Sequence, residues 1–211
     1  DATNSVDGNN LVLETTVYIG SSFATVIDKS ELTKAGGYRI RVTALTGSRS
    51  DNYILPAVDY VDFVIGHASV AVPVLVGSAA DKVETASSDT LEAVYRGATY
   101  EFLKYVADSA NYGGNVVIVR IFLGGVEADA IFGYGEYTVT VEPGENYVWD
   151  GVAESDNRNV YTYKFRVEKA EIGIDWGITQ FEYDGDADGK LPSPTATKVF
   201  GCDEGKVGID V

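Results

Sequence analysis

The residues of this 211-residue chain that could do chemistry are a run of alternating aspartates, one histidine, one cysteine and a scatter of aromatics. Asp184-Gly185-Asp186-Ala187-Asp188-Gly189 spells D-x-D-x-D-G, the first half of a calcium loop, in which a glycine turns closely spaced carboxylates inward. Such a loop is completed by a bidentate Glu at position 12, and that position here is Thr195. Asp184, Asp186 and Asp188 are therefore calcium ligands in one reading and a solvated acidic hairpin in the other. No other cofactor is expected. His67 is the single imidazole, and no serine near it sits in a nucleophile-elbow motif, so a Ser-His-Asp relay has little to assemble on. Zinc needs several His or Cys ligands, and His67 and Cys202 are the whole supply. Acid pairs abound, but none is singled out for glycosidase-like work. We expect no enzyme.

Aromatics suit a different chemistry, because sugar rings stack on exposed Trp and Tyr. Trp149, Tyr147, Tyr134 and Trp176 are the residues in question. Tyr147 has a counterpart in Tyr53, and Trp176 in Val74, which points those two to packing. Trp149, whose counterpart is Leu55, and Tyr134 remain as ligand-binding candidates. Cys202 has no partner for an internal disulfide. It reads as a buried, inert thiol, or alternatively as a cross-link between two chains.

The elements that would position these groups are strands. Tyr137, Val139 and Val141 alternate with Thr138, Thr140 and Glu142, and Tyr161, Tyr163, Phe165 and Val167 alternate with Thr162, Lys164, Arg166 and Glu168. A period of two marks a strand with one face on a core. Between the runs, Pro143-Gly144-Glu145-Asn146 has turn-forming types. Leu11, Leu13, Thr15, Val17 and Ile19 form another alternating run, and Ser30 to Lys34 suits one helical turn. The composition agrees: 14 Tyr, 23 Gly and few long helix-favouring stretches. A net charge of −16 provides no basic footprint for nucleic acid. The longest apolar runs are strand-sized, so no membrane insertion is expected.

The strand pattern occurs twice. Tyr38, Ile40 and Val42 match Tyr137, Val139 and Val141 at an offset of 99, and Val61-Asp62-Phe63-Val64-Ile65 matches Tyr163-Lys164-Phe165-Arg166-Val167 at 102. Offsets drift where loops differ in length. The expectation is an all-β chain of tandem sandwich modules. It comprises a partial closing half at 1–69, a complete module at 70–171 with a loop insertion at 77–90, and a partial opening half at 172–211. The whole reads as a window on a longer array. Open half-modules would pair with neighbouring repeats or exchange strands between chains.

Several short pieces, taken in order, carry a resemblance. Ile174-Asp175-Trp176 is followed by Phe181-Glu182-Tyr183-Asp184-Gly185 and Pro194-Thr195-Ala196-Thr197. Gly135-Glu136-Tyr137-Thr138-Val139-Thr140-Val141 is followed by Asn146-Tyr147-Val148-Trp149 and Phe165-Arg166-Val167-Glu168-Lys169-Ala170. Together they resemble the MBG-type and related bacterial immunoglobulin-like repeats of large surface proteins. The resemblance implies immunoglobulin-like β-sandwich modules outside the bacterial cell, acting as stalk, spacer or adhesive segment. An adhesive segment would meet a glycan or host protein. The family has no shared catalytic residues to carry over.

Overall fold

Alternating β-branched and aromatic residues take most of the chain into strands, and the helical elements among the described residues are short 3-10 turns. The computed structural model describes residues 11–177, 179–182 and 192–208. In chain order the strands are β1 (Val12–Ile19), β2 (Val26–Ile27), β3 (Gly36–Thr46), β4 (Tyr60–Ile65), β5 (Ala68–Val70), β6 (Glu84–Ser87) and β7 (Thr90–Val94). They continue with β8 (Val117–Leu123), β9 (Val126–Ala128), β10 (Gly135–Pro143), β11 (Tyr147–Trp149), β12 (Tyr161–Glu168), β13 (Gly173–Asp175) and β14 (Thr195–Thr197). The chain is all-β.

Two compact units form. Unit 1 gathers Asp1–Ala71, Gly114–Val117 and Pro143–Arg158; unit 2 gathers Val72–Gly113, Ile118–Glu142 and Asn159–Val211.

Unit 1 holds a sheet in the order β2-β1-β3-β4 and a short parallel pair, β5 with β11. Tyr38 on β3 stands opposite Phe63 on β4, and their rings stack at 5.6 Å. The register of β1 against β3 shifts between Glu14 and Thr15, where Thr43 of β3 is left without a partner between Val42 and Ala44. Val17 and Tyr18, neighbours on opposite faces of β1, are both buried, while Leu13 and Ile19, expected on the inner face, are exposed. Phe23 meets Tyr18 edge-on at 5.2 Å. Arg39 lies 4.1 Å from the Tyr60 ring and holds Asp62 through two bonds of 2.6 and 2.8 Å. That face is tiled by cations and rings; exposed pairs of this kind add little stability individually. The expected turn near Ser30 is a 3-10 turn at Lys29–Glu31, capped by Asp28, whose Oδ1 accepts the Ser30 amide at 2.8 Å.

Unit 2 is built on a sheet in the order β6-β7-β12-β10-β8-β9. β10 and β12 pair antiparallel with Tyr137 opposite Phe165 and Val139 opposite Tyr163, and β7 joins the other edge of β12 in parallel. The inward residues are those the period of two selects: Tyr137, Val139, Val141, Tyr163, Phe165 and Val167 are all buried. Tyr100 and Tyr105 pack on Phe165 with ring centres at 5.2 and 5.9 Å, and Phe102 packs on Tyr163 at 5.6 Å. Two-residue hairpins at positive φ need glycine or its equivalent, and Gly124 and Gly125, at +58° and +84°, close β8 onto β9.

Both units repeat one device. Gly36 and Gly135 take φ of +154° and +150°, and each precedes by two residues a buried tyrosine. The Tyr38 hydroxyl donates to the Lys34 carbonyl at 2.8 Å, and that of Tyr137 to the Gly133 carbonyl at 3.0 Å.

The two units run differently from the three modules expected at 1–69, 70–171 and 172–211. Residues 143–158 lie in unit 1, because β11 pairs with β5 and the Asp150 amide donates to the Val70 carbonyl at 2.7 Å. The Arg158 guanidinium, donating to the Tyr147 carbonyl at 2.7 Å, secures the far end of the same segment. Residues 77–90, expected as a loop, contain β6, which pairs with β7 around Ser88-Asp89 and is preceded by the fully buried Val83. Lys206 lies in a turn after the 3-10 helix Gly201–Asp203.

Candidate functional site

The two ligand candidates have opposite environments. Trp149 is only 2% exposed, whereas Tyr134 is 60% exposed. Trp149 ends β11 opposite Val70, which is itself buried, and its amide donates to the Asn157 carbonyl at 2.7 Å. The indole is a core side chain of unit 1, a correction to its expected place in a ligand platform. An aromatic at the end of a short strand, unmatched in the repeat, marked a local packing need. Trp176 is half exposed, Tyr147 is partly buried and His67 is exposed. Asp184, Asp186 and Asp188 lie outside the described residues. Among the described residues, no three His, Cys, Asp or Glu side chains gather to hold a metal ion. None of their helices is long and apolar enough to cross a membrane.

Tyr134 sits in unit 2 at the rim of an open cleft of about 300 Å³. The Lys169 ammonium lies 4.9 Å from its ring centre, within cation–π range. Tyr95, Ile172, Val199, Phe200 and Val207 supply most of the apolar wall, and Lys198 adds a second cation. Tyr95 stands edge-on to Phe132 and Phe200 at 5.7 and 5.5 Å, which fixes the wall at its centre. Its close approach to the 200–203 segment depends on Gly97, at φ +68°, where a Cβ would fall 2.5 Å from Phe200 Cβ. No local pattern places Gly97 beside Phe200, since 103 positions separate them.

The polar end of this wall is a linked set. The Tyr95 hydroxyl donates to Asp203 Oδ2 at 2.8 Å and lies 3.3 Å from Cys202 Sγ. With its proton on Asp203, the phenol oxygen is free to accept from the thiol. The hydrogen bonds to Cys202 and Asp203 raise the phenol above its ordinary range. Tyr95 thus stays protonated at neutral pH and is no general base there. Cys202 is exposed, where a buried thiol was expected; its turn follows Phe200, and it is the ring of Phe200 that faces inward to Tyr95. Aromatic faces beside two ammonium groups can stack on a ring and attract an anion.

A second cluster in unit 2 is structural. Asp81 accepts from Arg96 at 2.6 Å and from the Tyr105 hydroxyl at 3.0 Å. Arg96 also lies 4.1 Å from the Tyr100 ring and donates to the Thr99 carbonyl at 2.7 Å. This set ties the 77–90 stretch to the aromatic cover of the core.

No family model, curated protein or solved structure matches the chain.

Proposed function

We propose that this chain is a non-catalytic segment of a bacterial surface protein, a stalk or spacer of tandem immunoglobulin-like sandwich modules related to the MBG-type repeats. The observation that carries this reading is the recurrence of one strand pair. Gly36-Gly37-Tyr38 opposite Phe63 and Gly135-Glu136-Tyr137 opposite Phe165 share register, glycine conformation and tyrosine hydrogen bond. Copies of one strand-rich design along a chain are how repeat proteins gain length. A net charge of −16 suits a crowded extracellular layer, where like charge keeps neighbours apart.

The test is display on a bacterial surface between an anchor and an epitope. A spacer lifts the epitope further with each added copy, and Tyr134→Ala leaves the lift unchanged. If copy number has no effect on epitope height, the spacer reading fails.

One observation favours a second reading, an adhesive segment: the exposed Tyr134 ring beside Lys169 in an apolar cleft. On this reading a glycan or host-protein array shows binding that Tyr134→Ala abolishes.

A further inference from the structure

In unit 2, β12 has a neighbour on each edge, β10 antiparallel and β7 parallel. Its inner face is roofed by Tyr100, Phe102 and Tyr105, which follow β7 directly in the chain. In unit 1 the counterpart of β12 is β4, since Phe63 meets Tyr38 as Phe165 meets Tyr137. Among the described residues, β4 has a single strand neighbour, β3. Val61, which stands where unit 2 has the buried Tyr163, is 57% exposed. Leu13, Ile40, Val42, Pro56 and Val58 surround it in an open hollow of about 420 Å³ whose wall is mainly apolar. A free edge beside an uncovered apolar surface is a template for an incoming strand.

We infer that β4 and this hollow form a strand-addition site for a segment of the β7 type, supplied by another repeat of the same design. The segment would run parallel to β4 and place the aromatic residues that follow it in the hollow. The occupant is read from unit 2, where this chain's own residues show what completes the same strand pair. Direction and spacing also follow from unit 2. The Lys164 amide donates to the Asp89 carbonyl at 2.7 Å, so alternate amides of β12 point at β7. The counterpart of Lys164 is Asp62, which places the Asp62 and Val64 amides on the open edge. The inference goes beyond the spacer reading and does not depend on it, since an adhesive segment would carry the same edge.

The test mixes the full chain with a synthetic peptide of its own residues 88–112 and follows amide hydrogen exchange. At ten times the dissociation constant, exchange at Asp62 and Val64 slows about tenfold, as linkage requires. The Tyr38 and Phe63 amides, on the β3 side, change less. Val64→Pro removes an edge donor and abolishes the protection. Should that variant not fold, Val61→Glu places a charge in the hollow and must weaken the peptide by a similar factor. Unchanged exchange in β4 at millimolar peptide overturns the inference. Protection of Asp62 and Val64 that rises with protein concentration without peptide, and that added peptide does not compete away, also overturns it, because the edge then takes a different strand of a second copy.

Discussion

Asn146 holds Ala35 across 111 positions: its Oδ1 accepts the Ala35 amide at 2.8 Å. The same side chain donates to the Thr33 carbonyl at 3.1 Å, while its main-chain oxygen accepts the Ala68 amide at 2.9 Å. Lys34 reaches the neighbouring Glu145 at 3.1 Å, an exposed pair that adds little. Asn146→Ala removes the two side-chain bonds and leaves the main-chain one. The expected cost to unit 1 is about 1–2 kcal/mol, from one part-buried donor and one acceptor left unmatched. Hydrogen exchange separates the two contributions: the Ala35 amide loses protection, and the Ala68 amide keeps most of its own.

Phe165 and Phe63 occupy equivalent places with unequal cover. Phe165 is fully buried beneath Tyr100 and Tyr105, whereas Phe63 is only partly buried. Phe165→Ala therefore destabilises unit 2 by about 3–5 kcal/mol, the range for a cavity in a closed core. Phe63→Ala costs unit 1 less, because its site is already partly in water. Denaturant unfolding followed by residue-resolved exchange assigns each loss to its unit. Equal losses would mean that the hollow beside β4 is filled in solution.

Acid weakens unit 2 through Asp81. Hydrogen bonds from Arg96 and Tyr105 hold its carboxyl below the ordinary value of 3.8. A depressed folded value means the stabilisation is present above the unfolded value and is lost as pH falls through the folded one. Unfolding measured from pH 5 downward shows unit 2 losing stability below about pH 4, with a shallower slope in Asp81→Asn. Arg96 then lacks its carboxylate partner at every pH, so the variant starts from a lower plateau.

Alkali acts through buried phenols. Burial raises Tyr163 and Tyr105 to about 12 each, Tyr163 donating to the Pro73 carbonyl at 2.7 Å and Tyr105 to Asp81. A raised folded value leaves the stabilisation intact below the unfolded value near 10 and removes it as pH climbs toward 12. Stability of unit 2 is flat to about pH 10 and then falls. Tyr163→Phe reduces the alkaline slope and costs about 1–3 kcal/mol at neutral pH, because the Pro73 carbonyl is left unpaired. Absorbance of the ionised phenols at high pH gives an independent check.

The parts of the fold written in local sequence were legible, and the parts written across it were not. β10 and β12 could be read because each keeps strict alternation with one face buried. β1 reads less well: both of its faces are covered at Val17 and Tyr18, the latter by the ring of Phe23, so burial there does not follow the alternation. Trp149 was misread because its burial depends on a parallel pairing with β5, 79 positions earlier at Val70, which no local pattern encodes. The small polar residues of the 77–90 stretch read as a loop, although Val83 supplies a buried anchor and Asp81 a part-buried network. Of the candidate site, Tyr134 was found by its type alone. Tyr95, Phe200 and Lys169 were missed because they converge only after folding.

The interleaving of the two units sets how the chain lengthens under tension. If unit 1 opens while unit 2 stays folded, the load meets unit 2 at Val72, its earliest residue. Gly114–Val117 and Pro143–Arg158 then hang as closed loops, tied to unit 2 at both ends. Of the described residues, the roughly 60 ahead of Val72 pay out, about 200 Å of contour at ~3.5 Å per residue. If unit 2 opens instead, the last hold of unit 1 is Arg158, and Val72–Gly113 and Ile118–Glu142 stay off the load path. Either rupture releases a short tether, and the remaining unit keeps hold of both ends of the inserted segments that its opened neighbour lets go. A pulled molecule of this kind yields in small steps and has its own segments gathered close by for refolding.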